Sequence, residues 1–172
     1  RQNAGAIDTI AAKKAARLLR LCDAFDLPVL SLIDTPGFMV GPDSEAQGAL
    51  EGMSEMFTAA ATLRVPLIAI VLRKAYGLGA MAMAGGGFDE PHACVAWPNG
   101  EFGAMGLEGA VRLGFRKELD AAENDQARNE LFETLVQQLY ERGSAIEAAS
   151  MLEIDAVIDP IDTRSVIAKL LG

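Results

Sequence analysis

The segment LIAIVLRKAYGLGAMAMAGGG, residues 67–87, decides how this chain folds. Its first six residues, Leu67 to Leu72, are apolar without alternation, the pattern of a strand covered on both faces. Arg73 and Lys74 close the run, and a glycine-dense stretch of alanine and methionine follows. Strand, glycine turn and helix in direct succession mark an α/β domain. The turn holds almost no side chain capable of chemistry. Whatever happens there, the backbone must do it.

Working outward, the same pattern recurs. Upstream, DTIAAKKAARLLRLCDAF (8–25) places Ala11, Ala15, Leu18 and Cys22 on one helical stripe, with Ala12, Ala16 and Leu19 beside it. Lys13, Lys14, Arg17 and Arg20 occupy the other side, and Pro28 ends the helix. VLSLI (29–33) reads as a second strand covered on both faces, and DTPGFMVGP (34–42) as a loop. Ser44 and Gln47 have capping-box spacing and open a predicted helix running to about Leu63. Downstream, ACVAW (93–97) and EFGAM (101–105) are predicted strands, and a helix opens near Leu107 or Glu108. Leu131, Leu135 and Leu139 set the stripe of an amphipathic helix over 124–142. A short helix over 145–152, a last strand in AVIDP, and a closing helix RSVIAKLL capped by Asp162 or Thr163 complete the reading. No repeat or linker divides the 172 residues, so one domain with largely parallel strands is expected.

Composition narrows the function classes. A net charge of −9 leaves nothing to neutralise a row of phosphates, so nucleic acid is not an expected partner. No apolar run approaches the roughly 20 residues of a membrane span, and no signal peptide pattern is present. Cys22 and Cys94 lie far apart without a CxxC spacing, as free thiols in a reducing compartment do, so a cytoplasmic location is expected. The chain opens at Arg1 in mid-phrase, which suggests a piece of a longer protein.

Two uses of a strand–glycine–helix turn compete. Phosphate binding fits poorly: GxxxxGK[ST] is absent, GLGAMAM lacks the third glycine of GxGxxG, and Asp89 comes too early for a ribose contact. An oxyanion hole fits better, because the first N–H groups of a helix are unpaired and lie at its positive end. The alternative is that Gly77, Gly79 and Gly85 to Gly87 only allow close helix packing, and spacing alone leaves both open. In the DTPGF loop, Gly37 and Phe38 offer further backbone N–H groups; Asp34 is either an acid–base group or a turn carboxylate. Glu101 and Glu108 form a candidate carboxylate pair, and Arg73 and Lys74 candidate anion contacts. His92 has no nucleophile motif around it and reads as a surface or structural residue. No residue set here suggests a metal.

Four phrases taken together resemble a known family: KAARLLRLCDAFDLPVLSLIDTPGFMVG, VPLIAIVLRKAYGLGAMAM, AWPNGEFGAMGLEGAV and IDAVIDPIDTR. In order and spacing they are similar to the C-terminal half of the carboxyltransferase β-type subunit of biotin-dependent acyl-CoA carboxylases, the acetyl-/propionyl-CoA carboxylase family. The resemblance implies an α/β crotonase-like fold of repeated ββα units. It also implies that residues 1–172 are the biotin-side domain, with the acyl-CoA-side N-terminal half absent and catalysis impossible without it.

The implied reaction moves a carboxyl group between carboxybiotin and the α-carbon of an acyl-CoA. The cofactor itself serves as base, so the protein supplies alignment and oxyanion stabilisation. By the same resemblance, backbone donors fall on Leu78 and Gly79 with Gly77 beside them. The biotin-side cleft falls on Gly37, Phe38, Tyr76, Arg73, Lys74, Met105 and Gly106. Implied partners are the N-terminal carboxyltransferase half, a biotin carboxyl carrier, a biotin carboxylase and further copies of the chain, with apolar surface left over for them. Leu78 replaces a glycine of the family's RKAYGGAY phrase, Ala80 replaces a common tyrosine, and EAQGALEGMSEM lacks basic residues often seen there. Two other readings stand beside this one. A crotonase-type hydratase or decarboxylase would need, for hydration, Glu101 and Glu108 facing one cavity. A noncatalytic assembly domain would turn the Gly77–Gly79 amides into packed core.

Overall fold

A computed structural model describes residues 3–172. After a 3-10 turn at Asn3–Gly5 the chain forms α1 (Thr9–Ala24), β1 (Val29–Thr35), α2 (Pro42–Ala46), α3 (Ala49–Ala61) and β2 (Leu67–Tyr76). Then come α4 (Gly77–Met83), β3 (Ala93–Ala96), β4 (Glu101–Gly103), α5 (Leu107–Gly114), α6 (Arg116–Asp120) and α7 (Asp125–Arg142). The last elements are α8 (Ala145–Ser150), β5 (Ala156–Val157), a 3-10 turn at Pro160–Asp162 and α9 (Thr163–Leu170).

The unbroken apolar run of β2 places it at the centre of a parallel sheet. On one side Val29 to Ile33 of β1 pair with Leu67 to Val71. On the other, β3 pairs with the first half of β2 and β4 with its end, from Lys74–Glu101 to Tyr76–Gly103; β5 lies outside β3. Because every pairing is parallel, β1, β2 and β4 end on the same edge. The loops after them, residues 36–41, Gly77–Gly79 and 104–106, therefore meet at one place, where ligands bind in open α/β sheets.

One face of the sheet, with Ile33, Ala69 and Val71, packs on Ala16 and Leu19 of α1, Ala59 and Ala60 of α3, and Ala80 of α4. The other face, with Ile68, Ile70 and Val95, is covered by Ile158 and by Ile167 and Leu170 of α9. α9 does not reach β1, and the expectation that VLSLI is covered on both faces is corrected here: Leu30 and Leu32 are 45% and 49% exposed. The α1 stripe that is buried is Ala12, Ala16 and Leu19, while Leu18 stays out. Leu18, Leu21, Ile10 and Leu32 line an open apolar groove of about 1060 Å³.

Local chemistry explains most boundaries. Asp8 caps α1 by accepting from the Ala11 N–H at 2.8 Å, and Asn124 caps α7 by accepting from Ala127 at 2.9 Å. The predicted helix from Ser44 to Leu63 is broken instead. Gly48 takes a left-handed φ of 79° between α2 and α3, and Ser44 donates to the Met39 carbonyl in place of a capping box. Asp162 stands at the N-cap of α9 as expected, but its side chain makes no cap hydrogen bond. Thr163 Oγ1 donates to the Pro160 carbonyl and accepts from the Trp97 indole, while Asp159 caps the preceding turn. α7 forms as expected, but its stripe is only half covered by α5, and no residue of α7 is buried.

Candidate active site

Tyr76 ends β2 and directly precedes α4, so the Gly77–Gly79 turn sits on the strand's carboxyl end. Two neighbouring loops grip it. A Cβ on Gly79 would lie 2.7 Å from Gly37 Cα and 2.8 Å from the Phe38 nitrogen; one on Gly77 would lie 2.7 Å from the Ala104 carbonyl oxygen. Gly77 also has a φ of +58°, which a side chain tolerates poorly. Between them Leu78 is 52% exposed. Gly77 and Gly79 are small because backbone packs on them: Gly79 is buried and Gly77 half-buried, while the Leu78 side chain between them stays at the open surface.

The first-turn N–H groups of α4 have no carbonyl a turn earlier within the helix. No loop, cap or side-chain acceptor takes a hydrogen bond from Leu78 or Gly79 among the described residues. Leu78 and Met105, the latter also exposed, give the turn an apolar margin, and space is open around Gly106.

Gly37 and Phe38 contribute differently from the expectation that both offer free N–H groups. The Gly37 N–H donates to Thr35 Oγ1 at 3.1 Å, and that buried hydroxyl donates to the Gly5 carbonyl at 2.8 Å. The Phe38 ring packs on Phe57 with centroids 6.5 Å apart. This loop is a wall that holds Gly79. Its shape is set by Thr35 and by the bridge between Ile7 and Phe38.

Four of the charged candidates, Arg73, Asp34, Glu101 and Glu108, are already engaged. Arg73 forms a bidentate pair with Asp34 (Nε to Oδ1 3.2 Å, Nη2 to Oδ2 3.3 Å), which holds the guanidinium protonated. Asp34, which lies within β1, also accepts from the Lys74 N–H at 3.3 Å and so bridges β1 to β2. Tyr76 is 2% exposed, and its hydroxyl donates to Glu101 Oε2 at 2.6 Å. Tyr140 donates to Glu108 Oε1 at 3.0 Å. The backbone N–H of Glu108 itself, then Tyr140, then the nearby Lys74 ammonium hold the Glu108 carboxyl below the usual range. His92 is exposed, with its N–H donating to the Leu67 carbonyl at 2.8 Å at the opposite edge of the sheet.

Sequence reasoning missed the two tyrosine–carboxylate bonds. A signal existed: a tyrosine at a buried strand position must find a partner for its hydroxyl. Among the described residues no helix is long and apolar enough to cross a membrane, and no cluster of three metal-ligating side chains occurs.

The carboxyl transferase domain family matches residues 1–171. The carboxyltransferase subunit of propionyl-CoA carboxylase from Haloferax mediterranei is 38% identical over 167 residues, 96% of this chain and 31% of that subunit. The methylmalonyl-CoA carboxyltransferase 12S subunit of Propionibacterium freudenreichii subsp. shermanii is also 38% identical over 167 residues, 97% of this chain and 31% of that subunit. Among solved structures, a single-chain, multi-domain long-chain acyl-CoA carboxylase superposes with a TM-score of 0.86 at 53% identity, covering 98% of this chain and 16% of that one. Transcarboxylase 12S, a hexamer solved with methylmalonyl-CoA bound, gives 0.87 at 36% identity, covering 96% and 31%. The α/β crotonase-like fold expected above is the fold of this chain. The chain spans only 31% of the length of the curated relatives it matches.

Proposed function

Because the chain belongs to the carboxyl transferase domain family, we propose that it is the biotin-side domain of an acyl-CoA carboxyltransferase. Its task is to move a carboxyl group between carboxybiotin and the α-carbon of an acyl-CoA. The observation that carries this reading is the Gly77–Gly79 turn, gripped by backbone on both sides, with Leu78 at the open surface.

Carboxybiotin supplies the carboxyl group and, once that group has left, a ureido oxygen bearing negative charge and the base for the α-proton. This chain's part is electrostatic. The N–H groups of Leu78 and Gly79, at the positive end of α4, donate to that oxygen as its charge grows. Removing one such donor in comparable sites costs roughly 3 to 4 kcal/mol of barrier stabilisation. The exposed Leu78 and Met105 side chains would cover the face of the bound ring. The Gly37–Phe38 wall keeps the amides from drifting.

The acyl-CoA site, the N-terminal half, the biotin carrier and the biotin carboxylase complete the proposed assembly in the cytoplasm. The apolar groove over α1 and β1 supports burial against further protein, including other copies of the chain. The test is carboxyl transfer from malonyl-CoA or methylmalonyl-CoA to free biotin by the full-length protein, beside Leu78→Pro. Proline removes one N–H where a helix tolerates it, in the first turn. Transfer by the wild type that falls at least about 100-fold in the variant is the expected result. Absence of transfer by the wild type, with acyl-CoA still bound, would favour the assembly or another acyl-CoA chemistry.

A further inference from the structure

The turn that presents the amides has little stiffness of its own, since Gly77 and Gly79 flank the single side chain of Leu78. Catalytic alignment is sensitive to this: a displacement of about 1 Å costs on the order of 100-fold in rate. At one end of the turn Gly79 is wedged against Gly37 and Phe38. At the other end Gly77 packs on the Ala104 carbonyl, and Tyr76, the last residue of β2 and the N-cap of α4, leads into it.

The Tyr76 ring is buried, and the 2.6 Å contact from its hydroxyl to Glu101 Oε2 has the length of a charge-assisted bond. Burial first, and then this bond, push the hydroxyl far above the usual phenol range, so it stays a donor. Glu101 stands on a rigid support. It pairs with Lys74 of β2 on one side and bridges to Ser144 on the other. The Phe102 N–H donates to the Gly143 carbonyl at 2.7 Å and the Ala145 N–H to the Gly100 carbonyl at 3.0 Å. A second bond of the same kind, Tyr140 to Glu108, ties α7 to the first turn of α5 beside it.

We infer that Glu101 is a positioning residue: by accepting the Tyr76 hydroxyl it fixes where α4 begins and so aims the Leu78 and Gly79 amides. This rests on the carboxyl-transfer reading above. Glu101 touches no reacting atom in this assignment, and no proton moves through it. Its effect belongs to the step in which charge develops, hence to kcat.

The experiment compares full-length wild type with Glu101→Ala, Glu101→Gln, Tyr76→Phe and the double variant Tyr76→Phe/Glu101→Ala, in transfer from methylmalonyl-CoA to biotin. Glu101→Ala and Tyr76→Phe are each expected to lower kcat about 10- to 100-fold with KM for the acyl-CoA held within about twofold. The double variant is expected to be no slower than the worse single, because both remove one bond. Glu101→Gln still offers an acceptor oxygen and is expected to stay within about threefold of wild type. Unchanged kcat in Tyr76→Phe, additive losses in the double variant, or a lowered melting temperature with normal kcat would each overturn the inference while the wild type still transfers. A wild type without transfer activity would sink the carboxyl-transfer reading, and this inference with it.

Discussion

Arg73 and Asp34 form a bidentate pair across the ends of β2 and β1, with Nε 3.2 Å from Oδ1 and Nη2 3.3 Å from Oδ2. The pair locks the strand ends from which the glycine turn and its wall emerge. Arg73 therefore acts as a clamp between strands, and a role as a free anion ligand would require breaking that clamp. Asp34→Asn and Arg73→Met are each expected to lower the melting temperature by a few degrees, about 2 to 4 °C, and the double variant no further. A normal melting temperature with a raised KM in Arg73→Met would instead make Arg73 a substrate contact.

Gly79→Ala is a sharper perturbation than its single methyl suggests. The new Cβ would meet backbone atoms of Gly37 and Phe38 at 2.7 to 2.8 Å, and backbone cannot swing aside as a flexible side chain can. The wall must shift, taking the amides with it, and transfer should fall on the order of 100-fold. Gly85→Ala is the control: its φ of +93° is strained but nothing lies within 4 Å. Steady-state kinetics and thermal unfolding should show a stability cost of about 1 kcal/mol there, with normal turnover.

Glu108 yields a pH prediction. Its folded-state carboxyl is depressed by its own backbone N–H and by Tyr140. A carboxyl depressed on folding contributes stability above its unfolded pKa, about 4.3, and loses it as pH falls through the lower folded value. The melting-temperature advantage of wild type over Glu108→Gln should thus be present at pH 7 and shrink progressively below about pH 4. An advantage that persists unchanged to pH 2 would contradict the assignment.

The two cysteines should react unequally. Burial, followed by the nearby Asp155 carboxylate, pushes the Cys94 thiol up to about 12, whereas Cys22 is only half-buried. Mass mapping after brief alkylation at pH 8 should find Cys22 modified and Cys94 modified only after denaturation. Early labelling of Cys94 would mean that β3 opens readily.

Much of the fold could be read from residues near one another in the chain. The apolar run Leu67–Leu72 demanded a central strand, Pro28 stopped α1 within a few residues, and the spacing of Leu131, Leu135 and Leu139 produced α7. The misreadings arose where a sequence pattern had a competitor that the pattern did not show. Ser44 had capping-box spacing, but the Met39 carbonyl took its hydroxyl. VLSLI looked fully buried because its composition does not say which faces receive a helix, and on that face α9 packs over β2 and β3 while Leu30 and Leu32 of β1 stay exposed.

By itself the sequence determined the α/β class, the central strand and the place of the glycine turn, because periodicity and backbone permissiveness are properties of neighbouring residues. Only the tertiary structure decided that Asp34 grips Arg73 across 39 positions, that Glu101 holds Tyr76 across 25, and that Gly79 lies under Gly37. Such partners are chosen when parallel strands align their ends and desolvated polar groups must find the nearest acceptor. That choice is made in space, after the chain has closed its loops.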